Sequence, residues 1–238
     1  LNQWDKYDPL WGVASWANQQ KDGETPWTEE EFYALGVSDW QDFAGQWQHY
    51  GLDTASCLEI GCGAGRITRQ LAATFDRVHA VDVSEGMIDC ARKAVGDNVE
   101  FAIVDGLHLP LADGSVGAVF STHVLQHLDS VEIGFKYFSE FYRVLKQDGT
   151  LMVHVPLYQL PAGPEGRVMK LTHALARRTS DFRANLRRRR GIKTMRGTPY
   201  PMGTLAAFLK GLGFHKVEFR IFPVTSNGDL HPFVFATR

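Results

Sequence analysis

Between residues 56 and 155 the hydrophobic positions follow two alternating rhythms. Short, nearly continuous apolar runs such as Cys57-Leu-Glu-Ile60, Val78-His-Ala-Val81 and Val99-Glu-Phe-Ala-Ile-Val104 read as buried strands. With two later runs they predict strands near 56–60, 78–82, 99–103, 117–122 and 150–155. Between them apolar residues recur at spacings near 3.6, as at Ile67, Leu71 and Ala72. That spacing predicts helices near 65–74, 86–95, 124–128 and 131–145. Asp113-Gly114 is a turn before the fourth strand. Strand and helix in strict alternation imply a parallel sheet with right-handed crossovers.

The rhythm changes at both ends. Residues 1–50 hold all six tryptophans, Trp4, Trp11, Trp16, Trp27, Trp40 and Trp47, and precede the first strand. They are expected to pack on the core as a helical cap. After residue 155, Pro156, Pro161 and Pro164 break the chain, and Pro199 and Pro201 close the interruption. A helix over 203–211, stopped by Gly211 and Gly213, precedes two strands near 214–222 and 231–237. The expected whole is one α/β domain with a doubly wound, mostly parallel seven-stranded sheet. Its expected parts are a helical cap (1–50), a cofactor-type ligand-binding core (51–155), a lid insertion after strand five (156–202) and a closing helix and hairpin (203–238).

Chemistry is concentrated where the first strand ends, at Gly61, Gly63 and Gly65. Strand, glycine turn and helix bring backbone close to a nucleotide-type ligand at a helix N-terminus. Asp82 ends the second run about 20 residues later, where a carboxylate can receive ribose hydroxyls. Asp105 ends the third. A dinucleotide turn, G-x-G-x-x-G, has its third glycine one residue further on, where this chain has Arg66. Glu59, two residues before the first glycine, would repel a pyrophosphate and suits a ligand carrying positive charge.

Residues 57–72 therefore resemble the class I S-adenosylmethionine-dependent methyltransferases, with their E/D-x-G-x-G-x-G motif. Val81-Asp-Val-Ser-Glu-Gly-Met-Ile88, Asp105-Gly-Leu-His-Leu-Pro-Leu111 and Arg143-Val-Leu-Lys-Gln-Asp-Gly-Thr150 extend the resemblance over about residues 55–155. It implies a Rossmann-like methyltransferase fold, S-adenosylmethionine as cofactor and S-adenosylhomocysteine as product. It implies that Gly61, Gly63 and Gly65 pass under the cofactor, with Cys62 and Arg66 in the same turn and Glu59 behind it. Asp82 would hold the ribose, Val83 and Met87 would border adenine, and Asp105 would accept from its amino group beside Gly106 and Leu107. Thr122 completes the expected cofactor set. Gly117 departs from the family, which usually has Asp there, so that anchor is absent.

On the acceptor side the fourth strand ends Ser121-Thr122-His123-Val-Leu-Gln-His127. His123 lies just past the sheet edge, and a helix from there would put His127 one turn later on the same face. His127 fits a V-L-x-H pattern of small-molecule and sugar O-methyltransferases of this class, some of which use it as general base. Its ordinary pKa suits that task. In some relatives an acid after strand five supports the base. Here that region is His154-Val-Pro156-Leu-Tyr158, without a carboxylate, so His154 and Tyr158 are read as pocket residues. From the cap, Trp4, Tyr7 and Trp11 are candidate ligand contacts.

The resulting expectation is methyl transfer to an oxygen of a small-molecule or sugar-containing acceptor. The methyl donor is already activated, so alignment and exclusion of water suffice and no metal is required. N- or C-methylation of a small metabolite and an inactive cofactor-binding module are the alternatives. Nucleic acid is disfavoured, because the basic segment lacks interleaved aromatics and strand four lacks an N-P-P-Y loop.

Charge adds one feature. The net charge of −2 hides a basic stretch at 167–196, eleven Lys or Arg against Asp181, near +10 on a remainder near −12. This stretch, with Arg187 to Arg190, suggests an anionic acceptor, and the apolar face of Val168, Leu171 and Leu175 permits membrane-surface contact. No apolar run reaches spanning length and no signal peptide opens the chain. The three cysteines, Cys57, Cys62 and Cys90, lack zinc spacing and read as reduced packing residues, so a cytoplasmic protein is expected.

Overall fold

The computed structural model describes residues 8–16, 18–105, 108–159 and 197–238. Trp4, Tyr7, Gly106, Leu107, the Val168 helix face and the arginine run lie outside the described residues.

The strands are β1 (Ser56–Ile60), β2 (Arg77–Asp82), β3 (Val99–Ile103), β4 (Val116–Ser121), β5 (Leu145–His154), the short β6 (Leu157–Tyr158) and β7 (Tyr200–Pro201), β8 (His215–Pro223) and β9 (Leu230–Thr237). Seven of them form one sheet in the order β3-β2-β1-β4-β5-β9-β8. β1 pairs in parallel with β2 on one side and β4 on the other, so the winding reverses there. A reversal of this kind opens a crevice beyond the carboxyl ends of the strands. β9 enters antiparallel between β5 and β8, as the closing hairpin requires.

The helices are α1 (Pro9–Val13), α2 (Glu29–Trp47), α3 (Thr68–Thr74), α4 (Glu85–Arg92), α5 (Val131–Val144) and α6 (Met202–Leu212). Neighbouring strand residues go to opposite faces of the sheet, and both faces are covered. Leu58, Val119, Leu151 and Val153 pack with Phe138 and Phe141 of α5 and Leu205 and Leu209 of α6. Cys57, Ala118, Phe120 and Met152 pack with Trp40, Phe43 and Trp47 of α2, Leu71 of α3 and Ile88 of α4. This two-sided burial is why the strand runs are continuously apolar.

The cap is helical as expected. Thr28 and Glu31 form a reciprocal capping box that starts α2. Trp47 is fully buried, and its indole N–H donates to Thr150 Oγ1 at 3.0 Å, which removes the cost of burying that donor. At Gly117, where the family's Asp is missing, an added Cβ would run into the Asp53 carboxylate. A carboxylate therefore occupies the same neighbourhood, contributed from before β1.

Several boundaries differ from the sequence expectation. β5 starts at Leu145 rather than 150, because Leu145 pairs with Val116 before a bulge in which Asp148 takes φ 62°. The glycine turn runs on to Ile67, so α3 begins only at Thr68. α4 stops at Arg92, short of 95. The expected helix over 124–128 is a single 3₁₀ turn, Leu125–His127. The insertion contributes a parallel pair, β6 with β7, that periodicity did not foresee.

Candidate functional site

The glycine turn is built from backbone. Gly61 N–H and Cys62 N–H donate to the Val81 carbonyl at 2.7 and 3.1 Å, locking the end of β1 to β2. Asp82 joins the two turns beyond them. Its Oδ2 accepts from Gly63 N–H and its Oδ1 from Ser84 N–H, each at 2.9 Å. Ser84 in turn caps α4 by accepting from Met87 N–H at 3.2 Å. Gly63 sits at φ 51°, and a Cβ there would approach Val13 of α1 to 2.8 Å. Here glycine answers both a left-handed backbone and the close approach of the cap. Tyr33 of α2 donates to the Ala64 carbonyl at 3.0 Å from the same side.

Glu59 lies two residues before this turn, 3% exposed, and its Oε2 has no hydrogen-bond partner among the described residues. Burial raises its pKa to about 7; the neighbouring Thr68 hydroxyl and Arg66 oppose the rise, and Asp82 adds to it. The nearest cation is already engaged: Arg66 forms a buried salt bridge with Asp39 of α2. Arg66 thus packs inward onto the cap, a placement that its sequence position in the turn does not reveal. Cys62 is 4% exposed, and burial raises its thiol pKa far above the usual range. It is a packing group of the turn.

On the β2–β3 side two apolar side chains stay exposed at strand ends, Val83 at 46% and Ile103 at 55%. Ile103 was not anticipated, because its apolar character alone predicts burial. Met87 packs against the cluster of Ala14, Phe32, Tyr33 and Ala64, as do Leu10 and Val13 of α1. Asp105 is exposed and accepts from His108 N–H at 3.3 Å. Tyr137 of α5, also unforeseen, is buried, and Asp105 and Asp82 add to the burial that pushes its pKa up to about 12. Arg143 holds the segment after β3 in place, donating to the Leu109 and Leu111 carbonyls and pairing with Glu140 and Asp113.

The β4–β5 side is built from distant residues. Because the chain after β4 makes only a 3₁₀ turn, His127 does not stack on His123 along a helix. His123 takes φ 57° instead, a left-handed backbone uncommon outside glycine. Its ring lies 4.6 Å from that of His154 and 5.0 Å from that of His231, centroid to centroid. His127 ends the 3₁₀ turn, half-buried, with its Nε2 3.1 Å from the Gln126 side-chain nitrogen. Val124, between them, fills the space that a side chain on Gly61 would need. The histidine loop and the glycine turn are therefore in contact. Thr122 Oγ1 is buried without a partner among the described residues.

Tyr158 lies in β6, at an open depression shared with Met202, Thr204 and Phe219 that includes neither the glycine turn nor the histidines. Tyr200 ties β7 to the histidine loop, donating to the Leu125 carbonyl at 3.1 Å. Trp11 is partly buried on α1 and donates to the Trp16 carbonyl at 3.0 Å.

Residues 58–153 match the family model described as a methyltransferase domain. Over 103 residues the chain is 35% identical to malonyl-[acyl-carrier protein] O-methyltransferase of Geobacter sulfurreducens, covering 42% of this chain and 38% of that protein. Over 98 residues it is 37% identical to the biotin biosynthesis bifunctional protein BioHC of Cellvibrio japonicus, covering 41% and 19%. The chain thus spans well under half the length of these curated relatives. The solved S-adenosylmethionine-dependent methyltransferase from Mesorhizobium loti superposes with a TM-score of 0.59 at 20% identity, over 84% of this chain and 98% of that one. Residues 58–153 thus match a methyltransferase domain, and the fold is that of the solved S-adenosylmethionine-dependent methyltransferase. The residues of the site fit S-adenosylmethionine: a buried carboxylate whose Oε2 has no hydrogen-bond partner among the described residues precedes a glycine turn that leaves no room for side chains.

Among the described residues no helix is long and apolar enough to cross a membrane.

Proposed function

We propose that this chain transfers a methyl group from S-adenosylmethionine to an oxygen of a small-molecule acceptor. The observation that carries the reading is Glu59, a buried carboxylate two residues before the glycine turn whose Oε2 has no hydrogen-bond partner among the described residues. Such a group disfavours a pyrophosphate and stabilises a ligand bearing an ammonium or sulfonium. When bound, the cofactor supplies a methyl already activated on sulfur.

The chain's own work is to bind, align and dry the site. Asp82 holds the turn and stands at the end of β2, where a carboxylate can accept from ribose hydroxyls. Val83 and Ile103 offer apolar edges to adenine, with Asp105 beside them. The cap seals the glycine turn through Val13 and Tyr33, which keeps water out. His127 stands on the acceptor side, where it can take the proton of a hydroxyl. Both curated relatives align over about two fifths of the chain, and the printed name of one is malonyl-[acyl-carrier protein] O-methyltransferase. An oxygen acceptor is accordingly preferred, and a carboxylate belongs in the substrate panel beside hydroxyls.

Calorimetry with S-adenosylmethionine, S-adenosylhomocysteine and NAD tests the cofactor assignment. Binding of the first two and not of NAD is expected; the reverse would sink it. A methyl-donor assay over hydroxyl, carboxylate and amine acceptors then tests the oxygen. Turnover confined to amines would replace it with the N-methylation alternative.

A further inference from the structure

Three imidazoles meet at the carboxyl edge of β4 and β5. His123 follows β4, His154 ends β5, and His231 lies near the start of β9, which runs antiparallel beside β5. One ring nitrogen from each lies within 4.8 Å of the other two. We propose that His123, His154 and His231 form a three-histidine site for a divalent transition-metal ion, with zinc the preferred occupant and a fourth position open to an exogenous ligand.

Each neutral imidazole has one donor and one acceptor nitrogen, and burying either without a partner is costly. His154 is 4% exposed and its Nδ1 has no partner among the described residues, although the rings of both other histidines lie within 5.3 Å of its own. His123 reaches the trio from a left-handed backbone, the kind of outlier that persists where surroundings enforce it. Asn227 lies 3.2 to 3.4 Å from His231 Nε2, a contact that orients one ring nitrogen and leaves the other to bind.

The charges around the trio are compatible with a cation. Arg66 bears on His123 and His231, but it is paired with Asp39. Asp39 and Asp229 both act on His231 in the opposite sense, and Asp39 Oδ1 is itself buried without a partner among the described residues. His127 is the remaining titratable group within reach.

Zinc with three histidines and one open position is an established catalytic arrangement, with Zn–N of about 2.0–2.1 Å. Tetrahedral geometry at that length puts the nitrogens about 3.3 Å apart, so the trio closes by small side-chain rotations. An ion here would hold an oxygen donor of the acceptor and lower its pKa. The site does not depend on the acceptor's identity, and its failure would leave cofactor binding intact.

The test uses the purified full chain, stripped with chelator, reloaded with zinc and freed of excess by gel filtration. One equivalent of zinc is expected by elemental analysis, and cobalt(II) in its place should give visible d–d absorption. The double variant His123→Asn/His231→Gln should weaken zinc by roughly 10²-fold or more, beyond the 10–100-fold scale of losing an outer-shell partner. Asparagine is chosen at 123 because it tolerates the left-handed backbone. Circular dichroism in chelator checks that the variant folds, and the cobalt spectrum of the wild type needs no variant. Wild type without stoichiometric zinc or a cobalt band would overturn the site. So would a folded double variant that binds zinc as tightly as wild type, which would assign the metal to other residues.

Discussion

The two halves of the carboxyl edge are built in different ways. The half over β1 to β3 draws its groups from one stretch, Glu59 to Asp105, and joins them by backbone hydrogen bonds through Asp82. The half over β4, β5 and β9 draws His123, His154 and His231 from elements up to about a hundred residues apart and joins them by ring packing, with His127 at the end of the 3₁₀ turn that follows His123. A site held by backbone within one supersecondary unit tolerates little change, as the space at Gly61 and Gly63 shows. A site held by side chains from several strands can be re-specified one residue at a time. The first half is the one expected to bind the common cofactor, and the second to select the acceptor.

The sharpest way to break this division is at His127. His127→Ala should lower turnover on a hydroxyl acceptor by roughly 10²–10⁴-fold, the scale of a lost general base, with cofactor affinity near that of wild type. Steady-state kinetics beside calorimetry reads both. On a carboxylate acceptor, already ionised at neutral pH, the same variant should keep most of its turnover. A loss of cofactor affinity as large as the loss of turnover would mean that the two halves are not separate.

The contrast also accounts for what the sequence could reveal. The alternation of strand and helix, the parallel doubly wound sheet, the glycine turn and the acids at 82 and 105 follow from periodicity and spacing within one alternating unit. The salt bridge that turns Arg66 inward does not, because Asp39 is contributed by a cap helix outside that unit. Nor does the meeting of His123, His154 and His231, which depends on β9 inserting beside β5. The expected helical stacking of His127 on His123 failed for a local reason: the left-handed residue at 123 prevents the chain from entering an α-helix there. Ile103 and Tyr137 were missed because each is an ordinary apolar or aromatic core type until its position at the crevice is known.

Glu59 allows the cofactor half to be probed by pH. Its pKa is about 7 in the folded protein against 4.5 for the ordinary carboxyl. The native state therefore binds more protons than the unfolded chain between these values. The penalty is absent below about pH 4.5 and complete above about pH 7, where it reaches roughly 3 kcal/mol. Unfolding free energies of wild type minus Glu59→Gln, measured without cofactor from pH 5 to 8, should show that decline. If an ammonium faces Glu59, cofactor affinity should instead rise over the same range and lose this dependence in the variant. A flat difference curve would mean that Glu59 finds a partner in solution.

The smallest expected effect is at Asp82, and it tests whether a structural tie is also a ligand contact. Asp82→Ala leaves the N–H groups of Gly63 and Ser84 without their acceptor, so the protein without cofactor should lose stability. If Asp82 also receives ribose hydroxyls, cofactor affinity should fall by about 1–3 kcal/mol, the scale for stranding buried polar groups. Asp82→Asn separates the two roles. Its carbonyl oxygen can still serve one N–H, while its amide cannot accept from ribose as a carboxylate oxygen does. Recovery of stability in Asp82→Asn without recovery of affinity, by thermal unfolding and calorimetry, would establish the ribose contact. Full recovery of both, or an affinity that never changed in Asp82→Ala, would leave Asp82 as the tie between β1 and β2 alone.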